Sequence, residues 1–422
     1  MIRQFTTKRD VIMAFANAMN LISPEVENHH EKVAYLAARL AEMMGMTEEQ
    51  RYLAFLGGLT HDIGGVMHRG SISLLDLEHD ARAISARGAS LLRLFPITLP
   101  LSAVVLESQT PWEKLKSLPG RIRHTQQLGQ IIHLADVVAL LLSGEETVLN
   151  QVSHVKECVH AAGPREFAPE VLDAFDRLCG VEAVWMDALY RPQLFLDMVS
   201  GDRWLSLEEV SVLTQFMSRI IDFRSPFTAM HSAGVAATAS LLAGHCGMSD
   251  DECEIMRIAG YLHDIGKLKI PNEILEKPGK LTDREFNIMK EHAYFTWALL
   301  KDVRGFERIT DWAALHHEML DGSGYPFHLP AGELSLGSRI MTVADVFSAL
   351  TEDRPYRRSM EREGVIRILR GDAERGLLSA PVTELLIENY DEINDCRMRV
   401  SAAASRHYQA SLAAEKGGAQ EV

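Results

Sequence analysis

Apolar residues recur at three- and four-residue spacing in Val33–Met44, Leu207–Ile221, Val235–Ala243 and Ile340–Leu350. That spacing lays an apolar stripe along one face of a helix. Runs that alternate apolar and polar residues are scarce, so no sheet is expected and the chain reads as all-α. Pro and Gly cluster at Pro271, Pro278 and Gly279, and again across Asp321–Pro326, which predicts loops there. The last residues, from Ala413 on, are small and polar and predict a frayed tail, taken as 411–422.

The pattern also repeats. Residues 29–65 align without a gap on 231–267 at an offset of 202, with 13 of the 37 positions identical. Among the identities are His29 over His231, Gly58 over Gly260, and the run His61-Asp62-Ile63-Gly64 over His263-Asp264-Ile265-Gly266. Further on, Ala135-Asp136 parallels Ala344-Asp345. A period this long is not that of a solenoid array, so two domains sharing one fold are expected. The boundary falls near Gly201-Asp202, just before a helix that starts at Leu207 with Ser206 as its cap. The expected layout is a front domain of 1–200, a rear domain of 201–410 and a tail of 411–422.

Charge and cysteine usage narrow the classes. The 422 residues carry a net charge of −15. A general binder of polymeric nucleic acid would show basic patches instead. A small anionic ligand stays open, because metal ions and a few arginines reverse the local field. The five cysteines form no C-x-x-C pair and their number is odd, which predicts a reduced, cytoplasmic protein. No apolar run at the N-terminus resembles a signal peptide. The most apolar stretch, Ile131–Leu142, is short and contains His133 and Asp136, so no membrane partner is expected.

The rear half is dense in ligand-type residues: His231, His263-Asp264, His292, His316-His317 and Asp345. Five imidazoles with two carboxylates suit a borderline transition metal better than Mg or Ca, which favour all-oxygen shells. Adjacent pairs cannot share one helix face, but they can point into one cavity from helix ends. A carboxylate set between histidines can bridge two cations, and a cation pair can activate water and clamp a phosphate. Single histidines such as His124, His154 or His245 are ordinary surface or core residues. It is the H…HD…H…HH…D succession that carries the expectation.

The runs around these residues resemble a known family. His263-Asp264-Ile265-Gly266-Lys267 is similar to the HDIGK motif of HD-domain phosphohydrolases. His316-His317-Glu318, followed by Asp321-Gly322-Ser323-Gly324-Tyr325-Pro326, resembles the HHE…DGSGYP element of the HD-GYP subgroup. Val343–Phe347 and Thr351–Arg357 resemble its next segment, so the likeness covers about 205–400. It implies tandem HD-type helical domains and hydrolysis of a cyclic dinucleotide, cyclic di-GMP or the mixed GMP–AMP cycle. It implies two divalent metals: Fe or Mn first, with Co or Ni also tolerated. One would be held by His231, His263, Asp264 and Asp345, the other by Asp264, His292, His316 and His317. Lys267 would neutralise the scissile phosphate or protonate the leaving oxygen. Arg354 and Arg357 would meet substrate phosphates or bases, and Tyr325 would shape the pocket mouth.

Two positions depart from the family. Phe227 stands where some members have a Glu that helps hold a third metal, so two metals are expected. Ser348 replaces an Asp in A-D-x-x-D-A-L, which leaves Asp345 as the acid ligand of that segment. The front copy is expected to be degenerate. It keeps His29, His61-Asp62 and Asp136, yet Gly65 stands in place of Lys267, and Val105-Leu106-Glu107-Ser108-Gln109 stands where a His pair is needed. A packing and homodimerisation platform, a ligand sensor and a residual one-metal site are its three readings. The competing functions are an HD phosphohydrolase acting on other nucleoside phosphates and a receptor that binds a cyclic dinucleotide without cleaving it.

Overall fold

The computed structural model describes residues 4–22, 28–67, 81–93, 98–117, 124–142, 146–192, 204–224, 228–353 and 358–418. Twenty α-helices lie among them, as the apolar spacing predicts. A strand β1 (Gln4–Thr7) leads into α1 (Lys8–Ile22). The front copy then runs α2 (His29–Met43), α3 (Glu48–Thr60), α4 (Ala81–Leu92), α5 (Leu99–Glu107), α6 (Trp112–Leu115), α7 (His124–Leu141), α8 (Val148–Glu166), α9 (Pro169–Cys179) and α10 (Glu182–Tyr190). After strand β2 (Trp204–Ser206) come α11 (Leu207–Arg224), α12 (Thr228–His245), α13 (Asp250–Leu262), α14 (Asn272–Leu275), α15 (Asp283–Leu300), α16 (Glu307–Ala314), α17 (Leu336–Thr351), α18 (Arg362–Glu374), α19 (Ala380–Glu388) and α20 (Tyr390–Gly418).

Two details differ from the sequence expectation. First, β1 and β2 form a two-stranded antiparallel ribbon, Gln4 opposite Ser206 and Thr7 opposite Trp204. Strands of four and three residues are too short to show alternation, so the pattern could not announce them. The ribbon also regroups the chain. Of its two compact units, one joins β1 and α1 as far as Leu21 to the segment Trp204–Leu412, and the other holds α2 to α10. Within the first unit, the Phe5 ring lies 6.2 Å from Phe306 and Phe15 stacks on Phe216 at 6.0 Å. The sequence boundary at Gly201-Asp202 lies outside the described residues. Second, α20 continues through Gly418, past the expected start of a tail, because Ala413-Ala414-Glu415-Lys416 are strong helix formers.

The internal repeat is a repeat of structure. Helix α3 and α13 begin and end at the same offset, 48 with 250 and 60 with 262. Both open on a capping box, Thr47 with Gln50 and Ser249 with Glu252, in which side chain and backbone satisfy each other's free N–H groups. Both are followed by a 3-10 turn, Ile63–Met67 and Ile265–Lys269. In each unit a central helix, α2 or α12, packs against its neighbour, α3 or α13, and against a later one, α7 or α17.

Glycines hold the tightest contacts. A Cβ on Gly260 would stand 2.5 Å from the Cα of Ala236, and one on Gly58 would stand 2.7 Å from the Cα of Ala34. A Cβ on Gly266 would meet the His292 carbonyl oxygen at 2.0 Å and the Thr296 nitrogen at 2.7 Å. These neighbours are backbone, so no rotamer change makes room. Gly266→Ala is therefore expected to push the 3-10 turn off α15 and to destabilise the fold by about 3 kcal/mol, read by urea unfolding. An unchanged midpoint would show that the turn is looser than its packing indicates.

Candidate metal centre

Each doublet lies where a helix ends. His263 caps α13 with helical backbone angles, whereas Asp264 has turned to φ −100°, ψ 9° to enter the 3-10 segment. His316-His317 follow Leu315, the cap of α16. The change of backbone direction lets neighbouring side chains enter one cavity. His231 comes from α12, His292 from α15 and Asp345 from α17. All seven predicted ligands thus converge.

Their distances describe two adjoining groups. Nε2 of His231 lies 3.1 Å from Asp345 Oδ1 and 3.9 Å from Asp264 Oδ2, and Nε2 of His263 lies 3.2 Å from Asp264 Oδ2. On the other side of the same carboxylate, Oδ1 of Asp264 faces His292 Nε2 at 3.5 Å and His316 Nε2 at 3.9 Å. His317 Nδ1 lies 3.8 Å from Asp345 Oδ2. His231, His263 and Asp264 can offer donor atoms within 4.8 Å of one another, and so can His292, His316 and His317. Asp264 is 1% exposed and stands between the two groups.

Hydrogen bonds orient the rings. Nδ1 of His263 lies 2.7 Å from the Gly260 carbonyl, that of His292 2.5 Å from Met289 and that of His316 2.6 Å from Ala313, each three residues back. A carbonyl only accepts, so Nδ1 carries a hydrogen and Nε2 is the nitrogen aimed at the centre. Burial lowers His292 to about 3, His317 to about 4 and His316 well below the ordinary imidazole value, with neighbouring histidines adding to the effect. These rings are neutral at physiological pH, the form a metal requires. Burial opposes the ionised form of both acids, yet His263 and Lys267 hold Asp264, and His231 holds Asp345, well below the usual carboxylate range. Buried lone pairs facing buried carboxylates call for cations, and two divalent ions match the donor set.

His231 is oriented differently. Its Nδ1 lies 2.9 Å from Oε2 of Glu352, a residue the sequence reading did not single out. Burial lowers this ring, but Glu352 and Asp345 outweigh it and raise it to about 10. Glu352 is steadied by the buried Arg397, whose Nη1 lies 3.7 Å from Oε1 and whose Nη2 donates to the Thr351 carbonyl. A Cβ on Gly234 would press on both side chains, so glycine leaves room for the pair. No local signal marks it: Glu352 is the extended residue that ends α17, and only the fold brings it to His231. Glu352→Ala is expected to weaken metal binding about 10- to 100-fold, measured by competition with a chelating dye. An unchanged affinity would rule out an orienting role.

Residues around the donor groups complete the site. Lys267 Nζ donates to Asp264 Oδ2 at 2.5 Å and lines a cleft of 1270 Å³ that also reaches His231, Asp264, His292, His317, Tyr325 and Asp345. Buried Glu318 accepts from the backbone N–H groups of Phe327, His328 and Leu329, at 2.7, 3.2 and 3.1 Å, so it clasps the loop that carries Tyr325. A Cβ on Gly324 would meet the Met319 nitrogen at 2.4 Å, which lets this loop lie close to Glu318. The Tyr325 ring sits 4.8 Å from His317 and edge-on to Phe286 at 6.1 Å. Phe286, also a cleft residue, was missed because a single exposed aromatic on a helix has no distinguishing pattern. Arg354 and Arg357, expected to contact substrate, lie outside the described residues, and so does Phe227. Ser348 is buried on α17.

Comparison with known proteins agrees with this geometry. The family described as HD domain matches residues 215–378, and a second HD domain match covers 26–141. The chain is 32% identical over 394 residues to the 3'3'-cGAMP-specific phosphodiesterase 1 of Vibrio cholerae, covering 90% of this chain and 91% of that relative. It is 36% identical over 193 residues to the cyclic di-GMP phosphodiesterase response regulator RpfG of Xanthomonas campestris, covering 45% of this chain and 50% of that one. A solved structure of a cyclic GMP-AMP specific phosphodiesterase from V. cholerae shares the fold, with a TM-score of 0.63 over 92% of this chain and 98% of that chain at 20% identity. The motifs, the convergent histidines and these relatives together place the chain in the HD-GYP phosphodiesterase family of HD-domain proteins, with a further HD domain in its front half.

Proposed function

We propose that the rear domain hydrolyses a phosphodiester bond of a 3',3'-linked cyclic dinucleotide, with two divalent transition metals, Fe or Mn, as cofactors. The observation that carries this reading is the seven-donor centre beneath a cleft of 1270 Å³, large enough for a dinucleotide. His231, His263, Asp264 and Asp345 would hold one cation, and Asp264, His292, His316 and His317 the other. When bound, the pair supplies Lewis-acid charge and a water of lowered pKa. The chain's own residues bind and orient the substrate. Lys267 presents its ammonium at the cleft wall, where it would neutralise a phosphate oxygen and donate a proton to the departing sugar oxygen. Tyr325 and Phe286 offer aromatic surfaces against which a base can stack.

The mixed GMP–AMP cycle is the favoured substrate, because the relative matched along nine-tenths of this chain is named for it. Cyclic di-GMP is the second reading, favoured by a relative named for it that matches 45% of this chain. A net charge of −15 supports a small messenger over polymeric nucleic acid as partner. We place the protein in the cytoplasm, where such messengers act; none of the helices, among the described residues, is long and apolar enough to cross a membrane. The test is metal-stripped protein reloaded with Fe(II), Mn(II), Co(II) or Ni(II) and supplied in parallel with both cyclic dinucleotides and with dNTPs. Linear dinucleotide or mononucleotide from the cyclic substrates supports the reading. Product from dNTPs alone, or tight binding with no product under any metal, refutes it.

A further inference from the structure

In the rear unit one hydroxyl reaches the backbone on both sides of Asp264. Thr296, fully buried on α15, donates from Oγ1 to the His263 carbonyl at 2.9 Å and accepts from the Gly266 N–H at 3.1 Å. His263 ends α13, and Gly266 lies in the 3-10 turn that follows. Backbone groups at helix ends lack partners in the helical ladder, and here a single side chain serves one carbonyl and one N–H. Asp264 and Ile265 are held between the two bonds. Thr296 also stands about one turn after His292, on the same face of the same helix. That face of α15 thus carries a donor of the second cation group together with a grip on the residue that both groups share.

The front copy packs its turn the same way without that grip. A Cβ on Gly64 would stand 2.0 Å from the Ile84 carbonyl oxygen and 2.5 Å from the Gly88 nitrogen, where one on Gly266 meets His292 at 2.0 Å and Thr296 at 2.7 Å. Ile84 therefore answers to His292, and Gly88 to Thr296. Gly88 has no side chain to bond the turn, yet its helix α4 sits as closely on it. Close seating of turn on helix thus does not require a hydroxyl. The hydroxyl occurs in the copy whose helix also brings a histidine, and glycine stands in the copy whose helix brings isoleucine.

The distances around Asp264 show what the grip governs. Oδ2 faces His263 Nε2 at 3.2 Å, and Oδ1 faces His292 Nε2 at 3.5 Å. Metal–ligand distances hold to about 0.2 Å, so a small shift of the Asp264 backbone is enough to spoil one side. His263 has its own anchor, the Gly260 carbonyl within α13. Its pairing with Asp264 is set locally, whereas the approach of Asp264 to His292 depends on how the turn is held against α15. We propose that Thr296 is a positioning residue, whose hydroxyl fixes the turn on α15 so that one carboxylate serves both cation groups. This rests on the two-cation reading of the rear domain. Loss of the hydroxyl weakens the group of His292, His316 and His317 and spares the group of His231 and His263.

The test uses the full chain and reads metal before rate. Metal-stripped protein is titrated with Mn(II) against a chelating dye, rear ions are counted by difference from an Asp264→Ala protein, and electron paramagnetic resonance reports the signal of a coupled manganese pair. Thr296→Val keeps the shape and deletes the hydroxyl. It is expected to weaken one of the two rear ions about tenfold, leave the other unchanged and lower the pair signal. Thr296→Ser keeps the hydroxyl and should hold both ions as the wild type does. Turnover at saturating substrate should follow the pair signal, with KM unchanged. If Thr296→Val loses native circular dichroism, Thr296→Ala is read in its place with the same expectation. Equal affinities and pair signal in wild type and the hydroxyl-free variant would overturn the inference and leave the two-cation reading standing. So would a Thr296→Ser protein as weak as Thr296→Val, since side-chain volume would then set the site, or both ions weakened alike with a lowered urea midpoint, which marks a general loosening. A wild type with fewer than two rear ions sinks the two-cation reading and this inference with it.

Discussion

Replacing Asp264 with alanine is expected to lower cyclic-dinucleotide turnover at least about a thousandfold, some 4 kcal/mol of transition-state stabilisation, and to remove rear-domain metal in the same step. The reason is position. Its two oxygens face opposite ways, Oδ2 toward His231 and His263, Oδ1 toward His292 and His316. One substitution therefore costs both cation groups a donor. It also leaves five clustered imidazoles facing one another, and His292 and His316 already stand 3.3 Å apart at Nε2. Parallel assays of rate and metal content check this. Full turnover by a protein that holds no rear metal would end the metal-based mechanism, whereas full metal content with lost turnover would mean that Asp264 acts on substrate alone.

Lys267→Met is expected to slow turnover about a hundredfold to a thousandfold while metal content stays unchanged. Lys267 is not among the donor groups. It hydrogen-bonds the carboxylate between them, and its side chain, 17% exposed, borders the cleft. Methionine keeps the apolar stem and deletes the charge and its protons, so packing is preserved. The two variants are read against each other: Asp264→Ala moves rate and metal together, Lys267→Met moves rate alone. If Lys267→Met also lost metal, the ammonium would be a positioning group for Asp264 and not a group presented to substrate.

Much of the rear centre was legible because its donors come as doublets inside distinctive runs. His263-Asp264 and His316-His317 imply helix ends, since two neighbours cannot share a helix face, and helix ends are what the backbone shows. Glu352 and Arg397 were not legible. They act on His231 through a fold-back of α20 against α12 and α17, and no local pattern records which distant side chain will meet a ring nitrogen. The front site was half legible. Its four donors were named, yet their convergence into one buried cluster, with Gln109 on Asp136, is visible only in the distances of the fold.

What the amino-acid order determined alone is what local spacing encodes: helices, their caps, the tandem repeat and the identity of the donor residues. These follow from three- and four-residue periodicity and from side-chain chemistry, both readable over one or two turns. Tertiary structure decided the rest. It joined β1 to β2 across roughly two hundred residues, which moved α1 into the rear unit. It set Asp264 between two groups of histidines and gave His231 its acid partner. Contacts of long sequence separation are selected by how whole helices pack, and packing is a property of the folded surface, not of any short segment of the chain.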